Sequence, residues 1–211
     1  MDSFLINNRQ KLGFAFKVIS LIFLTTIATI ILIMGFFKNQ IPDIGLLLTI
    51  ILSAGLVLPI FIIGLAYLKW LNRTRIRKRI YSTSPLDRLE EIGFTKLLIN
   101  SNTKWYFTEE IKSGQINDFQ VLCNGAPRII EFTALTEPLC LDQNEYKDLK
   151  ARLKQDSLYP NFEGITKQYC LGQLRVLSIE QIKLDLEQLT DILKREEIKP
   201  RIKNGGALHR I

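Results

Sequence analysis

Two long apolar runs interrupt an otherwise mixed pattern of hydrophobic and polar positions. Residues 18–37, VISLIFLTTIATIILIMGFF, are uncharged from end to end. Twenty residues at the helical rise cover about 30 Å, the hydrocarbon thickness of a bilayer. Residues 44–68 are uncharged as well, and their greater length fits a tilted span. Only KNQIPD separates the runs, which leaves room for an antiparallel helical hairpin and nothing larger. The first run is longer than a signal-peptide core, lacks a small-x-small cleavage site and is followed by a second run. A retained anchor is therefore expected. Thr25, Thr26 and Thr29 can return hydrogen bonds to their own helix, and Pro59 predicts a kink in the second run. Thr25 and Thr29, one turn apart, form a small polar stripe. Ser53, Ala54, Gly55, Gly64 and Ala66 allow close backbone approach, so the runs should pack against each other.

Beyond residue 80 the period shortens. A hydroxyl cluster and Pro85 predict a short helix over DRLEEI, stopped by Gly93. Residues 104–123 alternate as a hairpin, with Trp105, Phe107 and Ile111 on one face and Ser113-Gly114 as the turn. Phe119, Val121 and Cys123 follow on the return strand. A further strand over 128–135 turns Ile130, Phe132 and Ala134 inward. Asp142 to Glu145 has capping-box form and opens a helix with Tyr146, Leu149 and Leu153 as its apolar stripe. Residues 165–171 and 173–177 read as strands around Gly172. Ser178 to Gln181 is a second capping box. It starts a helix over 179–196 whose apolar residues Ile179, Ile182, Leu186, Leu189 and Leu193 follow a heptad seam. Over so few heptads the seam fits a helix packed on a sheet better than a coiled coil.

The expected fold is an α+β cytosolic domain, a mainly antiparallel sheet with packed helices, over residues 82–199. It is attached to an N-terminal two-helix transmembrane hairpin, 18–68, with spans at 18–37 and 44–68. Residues 1–17 form a cytoplasmic flank, 69–81 a basic juxtamembrane segment and 200–211 a flexible tail.

Charge sharpens this picture. The chain carries a formal +7, but from residue 80 onward 18 Lys and Arg stand against 19 Asp and Glu. The excess flanks the apolar runs, which removes nucleic acid as the expected partner. Three basic residues precede the first run, six follow the second within residues 69–79, and one lies in the connection. That asymmetry predicts a multi-pass cell-membrane protein with both termini cytoplasmic. Tyr67 and Trp70 fall where an interfacial aromatic belt would lie. Trp70, Arg73, Arg75, Arg77, Lys78 and Arg79 form the expected membrane surface, facing a bilayer with acidic head groups.

Candidate chemistry adds little. The sequence has no Walker A loop, GxGxxG, GxSxG, HExxH or EF-hand run. Cys123, Cys140 and Cys170 have no CxxC spacing and read as reduced, buried thiols, and the single histidine is His209. No catalytic, cofactor-binding or metal-binding residue is predicted. The acid pairs Glu90-Glu91, Glu109-Glu110 and Glu196-Glu197 point apart and read as surface. The runs hold no Asp, Glu, Lys, Arg or His, which argues against a secondary transporter or a proton-driven motor subunit. Tyr106, opposite Trp105 and Phe107 in a strand, is the candidate partner surface. These features fit a membrane-anchored binding or scaffold domain that engages a cytosolic protein or ligand at the inner leaflet, without enzymatic activity. The alternative is a ligand-sensing membrane effector whose hairpins oligomerise to perturb or gate the bilayer. Homo-oligomers could form through the spans or the helix 179–196.

Overall fold

The computed structural model of the chain describes residues 3–38, 43–139 and 142–201. The chain divides into two compact units. The first is Met1–Asn72 with Ser101–Thr108; the second is Arg73–Asn100 with the chain from Glu109 onward.

The first unit is built on two long helices. Helix α1, Ser3–Lys38, begins well before the uncharged run. Helix α2, Ile44–Leu52, is capped by Asp43, whose carboxylate accepts the Gly45 N–H at 3.1 Å. A single π turn, Ser53–Val57, joins α2 to α3, Leu58–Tyr81. Both long helices are apolar and long enough to cross a membrane. Residues 39–42, most of the connection, lie outside the described residues.

The π turn has a local cause. Pro59 lacks the N–H that would reach the Gly55 carbonyl, and its ring crowds that carbonyl, so the helix widens. The kink expected at Pro59 takes this form. The Gly55 carbonyl accepts instead from Ser20 Oγ of α1, at 2.8 Å. A Cβ at Gly55 would meet Leu24 Cδ2 at 3.5 Å, and Ala54 beside it is fully buried. Of the small residues of the second run, Ala54 and Gly55 are where α1 packs, as their size predicts, whereas a Cβ at Gly64 would meet nothing within 4 Å. The threonine stripe is not part of that contact. Thr25 and Thr29 are exposed and bond back to the Leu21 and Thr25 carbonyls, each at 2.9 Å.

The second unit is a mixed α/β domain. Its six-stranded sheet comprises β1 (Thr95–Ile99), β2 (Glu109–Ile116), β3 (Phe119–Gly125), β4 (Ile129–Leu135), β5 (Leu158–Pro160) and β6 (Gly164–Cys170). The spatial order is β1-β2-β3-β4-β6-β5, with every neighbouring pair antiparallel. Helices α4 (Gln143–Gln155) and α6 (Ile179–Arg195) start at the two expected capping boxes. Leu149, Leu153, Ile182, Leu186, Leu189 and Leu193 from these helices share one core with Phe119, Phe132, Ile165 and Tyr169 of the sheet. The heptad seam is therefore buried inside its own chain. Alternate strand residues Ile99, Ile111, Leu122 and Leu135 form a second, smaller cluster.

Four sequence expectations need correction. The turn of the first hairpin is Asn117-Asp118, with Asn117 at φ 50°, and not Ser113-Gly114. Gly114 lies inside β2 because Phe94 packs over it; a Cβ there would come within 2.6 Å of the Phe94 ring. Residues 104–108 are not strand, so Trp105 and Phe107 are not core; β2 starts at Glu109. Residues 173–177 form no strand, since the chain turns at once into the short helix α5, Leu171–Leu174. The DRLEEI helix is a 3-10 helix, Leu86–Ile92, ended by Gly93 at φ 86°. Strands β1 and β5 were not predicted.

Candidate functional site

Polar groups converge most densely in the first unit, where residues 101–108 meet the early turns of α1 and the later turns of α3. Phe4, Asn8 and Lys11 recur at spacings of four and three, which puts them on one helical face. Asn8 is fully buried. Its Nδ2 donates to the Phe4 carbonyl at 3.1 Å and its Oδ1 accepts the Thr108 N–H at 2.7 Å. Lys11 Nζ donates to the Tyr106 carbonyl and to Thr108 Oγ1, both at 2.9 Å. Trp70 Nε1 donates to the Thr108 carbonyl at 3.0 Å. Both main-chain polar groups and the hydroxyl of Thr108 are thus engaged by helix side chains, and the loop is held at its end. Phe4 fills the space between, with ring centroids 4.8 Å from Tyr67, 4.5 Å from Trp70 and 5.0 Å from Phe107.

This collar was missed in the sequence because nothing marks Asn8 or Lys11 as buried when residues 1–17 are read as a flank. The spacing of Phe4, Asn8 and Lys11 is the signal that could have found it. Trp70, predicted at a membrane surface, sits in the collar. Trp105 and Tyr106 remain 69% and 55% exposed.

The basic run continues α3 as helix and divides by face. Arg73 and Arg77, one turn apart, both reach Glu109, at 3.4 and 2.6 Å. Arg77 and Glu109 are mostly shielded from solvent, so this is a partly dehydrated ion pair in which each charge needs the other. Arg75, Lys78 and Arg79 point elsewhere and are exposed. Further along, Ile80 is buried in the core of the second unit, and Tyr81 Oη donates to the Cys123 carbonyl at 2.7 Å.

The sheet unit has its own polar features. Tyr169 Oη donates to Asp185 Oδ2 at 2.7 Å, and Lys167 Nζ lies 3.3 Å from the same oxygen. Burial first, and then the Asp185 carboxylate, push the Tyr169 phenol above its ordinary range. Burial also pushes the Cys123 thiol up to about 12, so it stays protonated and unreactive at neutral pH. Cys170 is exposed, while Cys140 and His209 lie outside the described residues. Among the described residues no cluster of three metal-ligating side chains occurs. A hollow of about 460 Å³ runs between Pro138 and Leu139 on one side and α4 on the other, with Glu145, Asp148 and Glu196 at its rim. Arg152 crosses to Glu196 there, at 2.9 Å. It has the dimensions of a ligand or peptide site, with no nucleophile and base placed together.

Comparison with protein-family models, with curated proteins and with solved structures finds no match.

Proposed function

We propose that the chain is a membrane-anchored protein whose two long helices cross the bilayer and whose α/β unit is a binding module at the cytoplasmic leaflet. One observation carries the reading: large apolar side chains point outward along both helices with no protein over them. Leu32 is 73% exposed and Ile44 74%, whereas a core helix of a soluble protein buries such residues. The hydroxyls of Ser20, Thr25, Thr26, Thr29 and Thr49 bond to main-chain carbonyls of the helices, as suits a medium without water. The basic asymmetry supports both termini on the cytoplasmic side. Arg75, Lys78 and Arg79 supply an exposed cationic face suited to acidic head groups, while Arg73 and Arg77 serve the ion pair with Glu109. The hollow beside α4 is a place where a cytosolic partner or ligand could bind.

Topology tests the anchor directly. In a bacterial host, a phosphatase active only outside the cytoplasm should stay silent when fused after Ile211, and a fluorescent protein should light up. The fusion should remain in the membrane pellet after alkaline carbonate washing. An active phosphatase would reverse the orientation, and release by carbonate would remove the spans altogether.

A further inference from the structure

The exposed aromatics Trp105 and Tyr106 lie in a loop that is otherwise tightly held. Lys11 and Asn8 of α1 and Trp70 of α3 fix Thr108, and Lys11 also holds the Tyr106 carbonyl. Thr103 Oγ1 donates to that same carbonyl at 3.3 Å, which closes the loop on itself. The exposure of the two rings therefore belongs to an ordered backbone, in a segment rich in bonds to the helices.

Their height along α1 is equally defined. The Trp105 ring meets Phe14 edge-on at a centroid distance of 5.0 Å, and Lys104 Nζ stands 5.7 Å from the Phe14 centroid. Phe14 precedes the start of the uncharged run at Val18 by four residues, about 6 Å along a helix. The head-group layer on each side of a hydrocarbon core is about as thick as that distance. A tryptophan, a tyrosine and a lysine at this level match the chemistry of the bilayer interface, where amphipathic rings and cationic heads are favoured.

We infer that residues 104–106 form a membrane-interface foot: the Trp105 and Tyr106 rings enter the head-group layer beside α1, and Lys104 pairs with lipid phosphate. The occupant of this surface is lipid, because the patch packs on Phe14, within a head-group layer's thickness of the start of the uncharged run, and pairs exposed amphipathic rings with a cation. The inference rests on the reading that residues 18–37 lie in the bilayer.

The test uses the full chain reconstituted in vesicles of phosphatidylcholine and phosphatidylglycerol. The sequence holds two tryptophans, Trp70 and Trp105, so W70F leaves Trp105 as the sole emitter. Because W70F also removes a collar bond, the difference between wild type and W105F isolates the same signal without touching the collar. Lipids brominated near the top of the acyl chain should quench roughly half of the Trp105 emission, while acrylamide in the buffer should quench little of it. Full quenching by acrylamide and none by bromolipid would overturn the inference and assign the loop to a protein-facing surface. Flotation of the same vesicles after carbonate washing separates the two failures. A chain that floats with Trp105 unquenched by lipid loses the foot alone, whereas a chain that does not float loses the anchor as well.

Discussion

Phenylalanine is treated in opposite ways by the two units. In the sheet unit Phe94, Phe119 and Phe132 are fully shielded, and the rings of Phe94 and Phe132 meet edge-on at 5.9 Å. In the helical unit Phe36 and Phe61 face outward and are largely exposed. Polar groups invert in the same way. The sheet unit sends most of its carboxylates and lysines outward and pairs many of them at the surface, where each pair is worth little. The helical segments present no charge between residues 18 and 37 and return their threonine hydroxyls to the backbone. On the proposed membrane reading, one chain obeys one rule, that apolar groups avoid water, in two surroundings. Where lipid would replace water, the outward face is the apolar one.

The largest effect should come from emptying the core of the sheet unit. Phe132→Ala should cost about 3–5 kcal/mol, through lost transfer energy and the cavity left behind. Phe61→Ala should stay within about 0.5 kcal/mol, since its ring is largely exposed. Denaturant titration of the full chain in detergent, followed by circular dichroism, measures both. Equal losses would break the comparison.

Next comes the segment where the two regimes meet on one helix. Arg77→Gln should cost about 3 kcal/mol by leaving the shielded Glu109 carboxylate poorly matched. Changing Arg75, Lys78 and Arg79 to Gln together should shift stability by less than about 0.5 kcal/mol. If the triple variant proved the more damaging, the division of the basic run by face would be wrong.

Alkali should then separate the units. The Tyr169 phenol and the Cys123 thiol both hold their protons more tightly in the fold than in the unfolded chain. The unfolded state releases protons first, so stability is full below pH 9 and falls as pH rises towards 12. Tyr169→Phe and Cys123→Ala should each flatten that fall. The uncharged run 18–37 contains no group that titrates there, so helix content assigned to it should not change with pH. A fall that persisted unaltered in both variants would place its origin elsewhere.

The smallest effect concerns the one side-chain bond described between the long helices. Ser20→Ala should cost about 0.6 kcal/mol, typical of such bonds in a membrane setting. With Pro59→Ala in the background, the residue-59 N–H returns to serve Gly55, and the cost of Ser20→Ala should vanish. A double-mutant cycle in SDS titrations reads the coupling; a coupling of zero would disconnect Ser20 from the proline.

Sequence pattern revealed the elements with strong period or strong ends. The capping boxes at Asp142 and Ser178 sit at the helix starts, and the inward alternation of Ile130, Phe132 and Ala134 matches the buried face of β4. The uncharged runs lie within the two long helices, which extend beyond them at the N-terminal end of the first and the C-terminal end of the second. What stayed hidden depends on contacts far apart in the chain. Gly114 looks like a turn residue until Phe94 is placed over it. Trp105 looks like core until the loop is tied to Lys11, some ninety positions away. The basic run looks uniform until Glu109 selects two of its members. Local chemistry names residues that can do several things, and the distant partner decides among them.

The bond from Ser20 to Gly55 also acts as a detent. Pro59 strips the α-helical partner from one carbonyl only, so one axial alignment of α1 brings a hydroxyl to meet it. Sliding α1 by a turn, about 5.4 Å, would bring Phe16 or Leu24 to that place and leave the oxygen facing hydrocarbon. A missing proton in the second long helix thereby indexes the first. It sets the alignment of α1 along the second long helix, and with it the level at which Asn8 and Lys11 of α1 meet Trp70 and the loop.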